Sequence, residues 1–103
     1  MFAKENRFMT SGIAEHLPAE VMHAIWLSID TENDGEQQLD YLQVFKFESV
    51  HDVVLAITHS QEEPECSKVI YMGFKESYRD FIGRDVFVID DGDHSTMLFA
   101  DEY

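Results

Sequence analysis

Basic residues are scarce in this sequence: seven lysines and arginines stand against 21 aspartates and glutamates, for a formal net charge of −14. Contact with nucleic-acid phosphates would meet strong repulsion, which removes direct nucleic-acid binding from the candidate functions. Cysteine is nearly absent. Cys66 alone can form neither an internal disulfide nor a thiolate zinc cluster, its PECSK setting gives no sign of an activated thiolate, and a lone thiol fits a reducing compartment. Long apolar runs are also missing. The longest, Val53 to Ile57, is far below the ~20 residues of a membrane-spanning helix, and the opening MFAKENRF has no apolar signal-peptide core, so a cytoplasmic chain without membrane contact is expected. No phosphate-cradling glycine loop occurs, and His16, His23, His51, His59 and His94 form neither an HxxxH nor an HExxH pair. Without a nucleophile, a metal motif or a cofactor motif, the expectation is a protein that is not an enzyme and takes no cofactor.

What is present suffices for one core. Hydrophobic residues make up 45% of the chain and aromatics 13%, and 103 residues without repeats or proline-rich linkers read as a single acidic domain, residues 1–103. Phe8 to Ile13 is short and β-compatible, and Pro18 suits the first turn of a helix. Val21, Met22, Ile25, Trp26 and Ile29 then recur at helical spacing, which leaves Glu20, His23 and Ser28 for the outer face and ends near Asn33 to Gly35. From Asp40 the texture becomes β, with strands expected at Tyr41 to Phe47, Val53 to His59, Lys68 to Met72, Val86 to Ile89 and Thr96 to Ala100. Ser49 to Asp52, Gln61 to Glu65 and Asp91-Gly92 carry turn chemistry between them, which fits an antiparallel meander. Phe74 to Gly83 could stripe a short second helix or line a loop, and a helical turn is the favoured reading. The fold class is therefore α+β: one main N-terminal helix packed on an antiparallel sheet of about five strands, whose other face is at least partly solvated.

Several constellations resemble sites. Asp30-Thr31-Glu32-Asn33-Asp34-Gly35 opens like a calcium-binding EF-hand loop, but the bidentate glutamate required at its twelfth position is Tyr41. Asp91-Gly92 suits a two-residue hairpin turn in which both central residues take positive φ, and the flanking Asp90 and Asp93 lack the further oxygen ligands that a hard cation needs. No metal is expected at either place. Asp93-His94-Ser95 cannot converge as a triad, because neighbours on a strand point to opposite faces. The acids instead recur in surface-type segments: Asp30 to Glu36, Glu62 to Glu65, Asp90 to Asp93, and Asp101 with Glu102. On extended chain, residues two apart lie ~6.6 Å apart on one face, so Glu63 with Glu65, or Asp91 with Asp93, would space charges regularly in the manner of a phosphate backbone.

Duplex DNA carries one charge per ~1.7 Å of axis, so a charge of this size matches roughly 24 Å of duplex, and on a domain with a radius of gyration of about 13 Å the mean charge per length is DNA-like. The blocks RFMTSGI, LDYLQVF, ITHSQEEPE and the terminal VFVIDDGDHSTMLFADEY resemble a family of small Firmicute proteins of unknown function, similar to genes in staphylococcal cassette chromosomes and other mobile elements. That resemblance spans nearly the whole chain. It implies a setting in which interference with host nucleic-acid enzymes is common, and no catalytic residue. Glu48-Ser49-Val50, in FESV after a strand, is more weakly similar to the edge that uracil-DNA glycosylase inhibitors present to their enzyme. This second resemblance implies that Glu48 and Ser49 stand in for DNA phosphate contacts, beside an apolar pocket between sheet and helix that receives an enzyme side chain.

The expected function is that of a non-enzymatic interaction protein, a DNA-mimic-type inhibitor of a host DNA-binding enzyme such as uracil-DNA glycosylase, a restriction enzyme or a Cas nuclease. Its partner would be a basic protein surface, met by Glu48, Ser49, Glu62, Glu63, Glu65, Asp90, Asp91 and Asp93. The alternative is a structural or regulatory interaction protein whose charge serves solubility only.

Overall fold

A computed structural model describes residues 1–35 and 38–103. The elements are strand β1 (Arg7–Met9), helices α1 (Ser11–His16) and α2 (Ala19–Asp34), and strands β2 (Leu42–His51), β3 (Val54–Glu62), β4 (Glu65–Gly73), β5 (Val86–Asp90) and β6 (Ser95–Phe99). The five strands expected after the main helix are all there, and β1 before it makes a six-stranded sheet in the order β1-β6-β5-β2-β3-β4. The helices and sheet make a mixed α+β fold in which β1 pairs parallel to β6 and the other pairs are antiparallel.

The expected single stretch from Phe8 to Ile13 divides at Thr10. That residue has extended φ and ψ, and its hydroxyl accepts from the Ile13 N–H as an N-cap, so the chain turns from strand into α1. In α2 the expected stripe holds: Val21, Ile25 and Ile29 are buried, with Met22 and Trp26 half-buried beside them. Ser28, expected on the outer face, is instead buried against β3. Sheet residues alternate as strand geometry requires, so Phe45, Phe47, Leu55, Ile57, Val86, Val88, Met97 and Phe99 meet the helices.

A simple meander does not describe the connections. From β4, at one edge, the chain crosses to the far side of β2 before β5, and the crossover contains a 3-10 turn at Glu76–Asp80. This is the helical turn favoured within Phe74 to Gly83, and its Tyr78, with the following Phe81, fills the end of the core near the start of α2. The turns differ from expectation in detail. Ser49 continues β2, Gln61 and Glu62 complete β3, and Glu65 opens β4 after a cis Glu63–Pro64 peptide. Between β5 and β6 the loop has four residues, Asp91 to His94, because Asp90 pairs with Ser95; only Gly92 within it has positive φ, at 101°. A two-residue turn with two positive φ values is thereby replaced.

Candidate functional site

Antiparallel pairing decides where the acidic segments lie. The C-terminal end of β3 lies beside the N-terminal end of β2, and the C-terminal end of β5 lies beside that same end of β2, with Val44 opposite Ser60 and Leu42 opposite Ile89. Hydrogen bonds complete the link: Asp40 accepts from the Glu63 N–H at 3.1 Å, and the Asp90 N–H donates to the Tyr41 carbonyl at 2.9 Å. Glu62, Glu63 and Glu65 therefore share one end of the molecule with Asp90, Asp91 and Asp93. The C-terminus of α2 arrives at this end too, because Ser28 meets His59 and Glu32 meets Lys68.

Glu48 and Ser49 lie elsewhere. Glu48 pairs with Ala56, six residues along β3 from Glu62, so it sits about 20 Å from the acidic end. β2 pairs with β5 only from Leu42 to Phe45, so the FESV segment beyond it pairs with β3 alone. Glu36, counted with the acidic segment after the main helix, lies outside the described residues.

The acids at this end divide by employment. Asp90 accepts from the N–H groups of Phe2 and Gly92, which pins the buried Phe2 onto the sheet and orders the loop. Asp91 accepts from the His94 and Asp93 N–H groups, both at 3.0 Å; these bonds, that from His94 foremost, hold its carboxyl below the usual carboxylate range. Asp30 pairs with Arg7, and Glu32 with Lys68 at 2.7 Å. Among the described residues no cation pairs with Glu62, Glu63, Glu65 or Asp93, all of which are exposed. The last turn of α2 carries no basic residue. Carboxylates at a helix C-terminus oppose the macrodipole by about 0.3–1 kcal/mol each, so this acidity is not arranged for helix stability.

Beneath the acidic end lies a polar chain that the sequence did not announce. The Ser28 hydroxyl is 2.6 Å from His59 Nδ1, and His59 Nε2 is 2.6 Å from Gln43 Oε1. With Gln43 Oε1 accepting, Nε2 carries the proton and Nδ1 accepts from Ser28. Gln43 Nε2 donates to Gln61 Oε1 and to the Asp40 carbonyl, and Gln61 Nε2 donates to the carbonyls of Gln38 and Pro64. Burial pushes the His59 imidazole down to about 4, helped by the nearby Lys68 charge. Ser, His and an amide in series resemble a nucleophilic triad in order only. Ser28 is 3% exposed with its hydroxyl held by His59, and the void beside His59 and Gln43 is about 10 Å³, room for a single water. The chain's effect is on the position of the acidic end: it ties α2, β2, β3 and the β3–β4 turn into one unit.

A groove of about 180 Å³ runs between α2 and β4, lined by Ala24, Leu27, Ser28, Thr31, Lys68 and Ile70. Leu27, absent from the expected site, is 66% exposed on its rim. A large apolar residue off the helical stripe was the available signal. Among the described residues no three His, Cys, Asp or Glu side chains converge as a metal-binding group, and no helix is long and apolar enough to cross a membrane.

Comparison with known proteins bears on the family and the fold. The family described as "Staphylococcal protein of unknown function (DUF960)" matches residues 6–102. The solved "Crystal structure of the protein of unknown function from Enterococcus faecalis" is similar, with a TM-score of 0.82 and 25% identity over 99% of this chain and 94% of that one. No curated protein matches the sequence.

Proposed function

Since the chain belongs to the DUF960 family of staphylococcal proteins of unknown function, its role has to be argued from its own surface, and we propose that it is a non-enzymatic inhibitor that occupies the DNA-binding surface of a basic protein. The observation that carries this reading is the gathering of separate acidic segments at one end, where no cation pairs with Glu62, Glu63, Glu65 or Asp93 among the described residues. A surface of one sign steers an oppositely charged partner and contributes to specificity, whereas solubility requires only dispersed charge. The buried Ser28–His59–Gln43–Gln61 chain supports the same reading, because it fixes the acids relative to one another in advance and lowers the ordering cost of binding. Uracil-DNA glycosylase, a restriction enzyme and a Cas nuclease remain the target classes, and a cytoplasmic, mobile-element setting belongs to this proposal.

Competition binding tests it. Labelled DNA on each enzyme is titrated with the protein at low and high salt, using the wild type, a Glu62→Lys/Glu63→Lys/Glu65→Lys variant and Glu48→Gln. Displacement that weakens with salt, falls in the triple variant and persists in Glu48→Gln is the expected result. No displacement from any of the three at micromolar protein and low salt refutes the target classes. Displacement lost in Glu48→Gln but kept in the triple variant moves the surface to the FESV end.

A further inference from the structure

One face of the sheet has no helix over it among the described residues. The strand residues that alternate with the buried ones point away from α1, α2 and the crossover turn, and on β2, β5 and β6 these include Leu42, Val44, Phe87, Ile89 and Leu98. Register makes them neighbours: Leu42 stands opposite Ile89, Val44 opposite Phe87, and Phe87 opposite Leu98. Each is half-buried, shielded by the others in the sheet. A contiguous apolar patch of this kind marks an interaction surface when polar groups rim it. Here the rim carries one sign of charge. Glu62 ends β3 on this same face, two residues on from Ser60, which pairs with Val44, and Glu65 of β4 lies opposite Glu62. Both acids are exposed, and no cation pairs with either among the described residues. Patch and acids share one end of the molecule as well as one face, because Leu42 opens β2 where Glu62 closes β3.

We infer that the open face of the sheet is the docking surface for a protein with an apolar protrusion flanked by lysine or arginine. The apolar group sits on Leu42, Val44, Phe87, Ile89 and Leu98, and the cations meet Glu62 and Glu65. Charge selects this occupant over a second copy of the chain. Among the described strand residues on this face Lys46 is the one cation, and Asp85 already pairs with it at 3.8 Å. Glu48, Glu62 and Glu65 lie on the same face, so two copies set face to face would bring acid against acid with no free cation between them. Each copy also carries −14 overall. An anionic membrane surface is repelled for the same reason. A basic protein meets neither obstacle. The apolar patch supplies what acidity alone lacks: exposed charge pairs steer the approach and are worth little once formed, whereas a desolvated centre carries most of the energy of a complex. This inference rests on the reading that the acidic end binds a basic protein. It adds the face on which that protein sits and the contact that holds it.

Two measurements test it. Chemical-shift mapping on the isotopically labelled protein uses a synthetic peptide with a Phe-Leu pair flanked on both sides by arginines. Two control peptides replace the arginines by glutamates or the Phe-Leu pair by Ser-Ser. The arginine peptide should shift the signals of Leu42, Val44, Phe87, Ile89 and Leu98 together with those of Glu62 and Glu65, and both controls should bind at least about tenfold more weakly. No binding of the arginine peptide at millimolar concentration overturns the inference, as do shifts confined to other surfaces or equal binding of all three peptides. The second measurement adds Phe87→Thr and Ile89→Thr, both compatible with a strand, to the competition assay with DNA-bound enzymes. Each should weaken displacement at least about tenfold. Displacement that falls in the triple glutamate variant but is unchanged in both threonine variants overturns the inference and leaves the proposed function standing. With no displacement from any enzyme the target classes fail, and the peptides alone decide the docking face. A dimer in sedimentation equilibrium that Phe87→Thr disperses, or co-sedimentation with anionic lipid vesicles that Phe87→Thr abolishes, also overturns the inference, because the patch then belongs to another occupant.

Discussion

Acidification should loosen this protein through one side chain before its carboxylates titrate. His59 is 4% exposed, held between Ser28 and Gln43 and stacked on Phe45 at 4.3 Å, and both ring nitrogens are committed in the neutral form. Its imidazole titrates at about 4 in the fold against 6.5 in the unfolded chain, so below 6.5 the unfolded state takes up the proton that the folded state refuses. Stability from this group is complete above pH 6.5 and is lost as the pH falls toward 4. One pH unit within that window is worth about 1.4 kcal/mol, which makes the loss between pH 7 and pH 5 about 2 kcal/mol and the full loss about 3 kcal/mol. Urea denaturation at half-unit steps from pH 7.5 to 4.5 measures it, with His59→Gln as the reference. The variant starts from lower stability, because glutamine cannot reach both partners, and its curve isolates every other titrating group. The difference between the two curves should shrink by about 2 kcal/mol between pH 7 and pH 5. Parallel curves would show that His59 is protonated without penalty, and the account of the polar chain would fail with it.

Two further outcomes follow from the packing. Trp26 is half-buried with the Arg7 guanidinium 4.4 Å from its ring centre, so Trp26→Ala should cost about 2 kcal/mol, below the ~3–5 kcal/mol of a fully buried tryptophan, as read by thermal or urea unfolding. Gly92→Val forces a branched residue into φ of 101° and should cost about 1–3 kcal/mol, whereas Asp93→Asn should leave the midpoint of unfolding within about 0.5 kcal/mol of wild type.

The parts legible in the sequence were those with a period. The α2 stripe and the alternation in the five later strands each repeat a burial pattern over several residues, and the structure follows them. Phe2 was hidden because a single phenylalanine before a polar stretch has no period. It is fully buried in the core, and its backbone is held by Asp90, 88 positions later in the chain, and by Arg7. Thr10 was read as strand because threonine favours strands; its capping role depends on the turn that follows. His59 could have been placed. It is in phase with Leu55 and Ile57, so strand parity turns it inward, and Gln43 and Gln61 share that parity with the inward residues of their own strands. The partnership with Ser28 could not be read, since it joins residues on different elements. Of the candidate site, the charge segments were legible one by one. Their meeting at one end, and the separation of Glu48 and Ser49 from it, depend on strand order, which adjacent turns do not encode when β5 crosses back to β2.

The pairing of β1 with β6 imposes a timetable on synthesis. Arg7 needs Ser95 opposite it, and Phe2 needs Asp90, which is 88 positions later. At about 5–20 residues per second, β1 and Phe2 leave the ribosome roughly 4–18 s before their partners are made. Until then Phe2, Phe8 and Met9 have no strand to lie against, while β2, β3 and β4 can already pair among themselves. The early half-sheet is open along the side of β2 that β5 will take, so the nascent chain carries an uncovered strand and a loose apolar tail at the same moment. A chaperone that holds apolar segments would find its substrate in that interval, and faster elongation would shorten the interval in proportion.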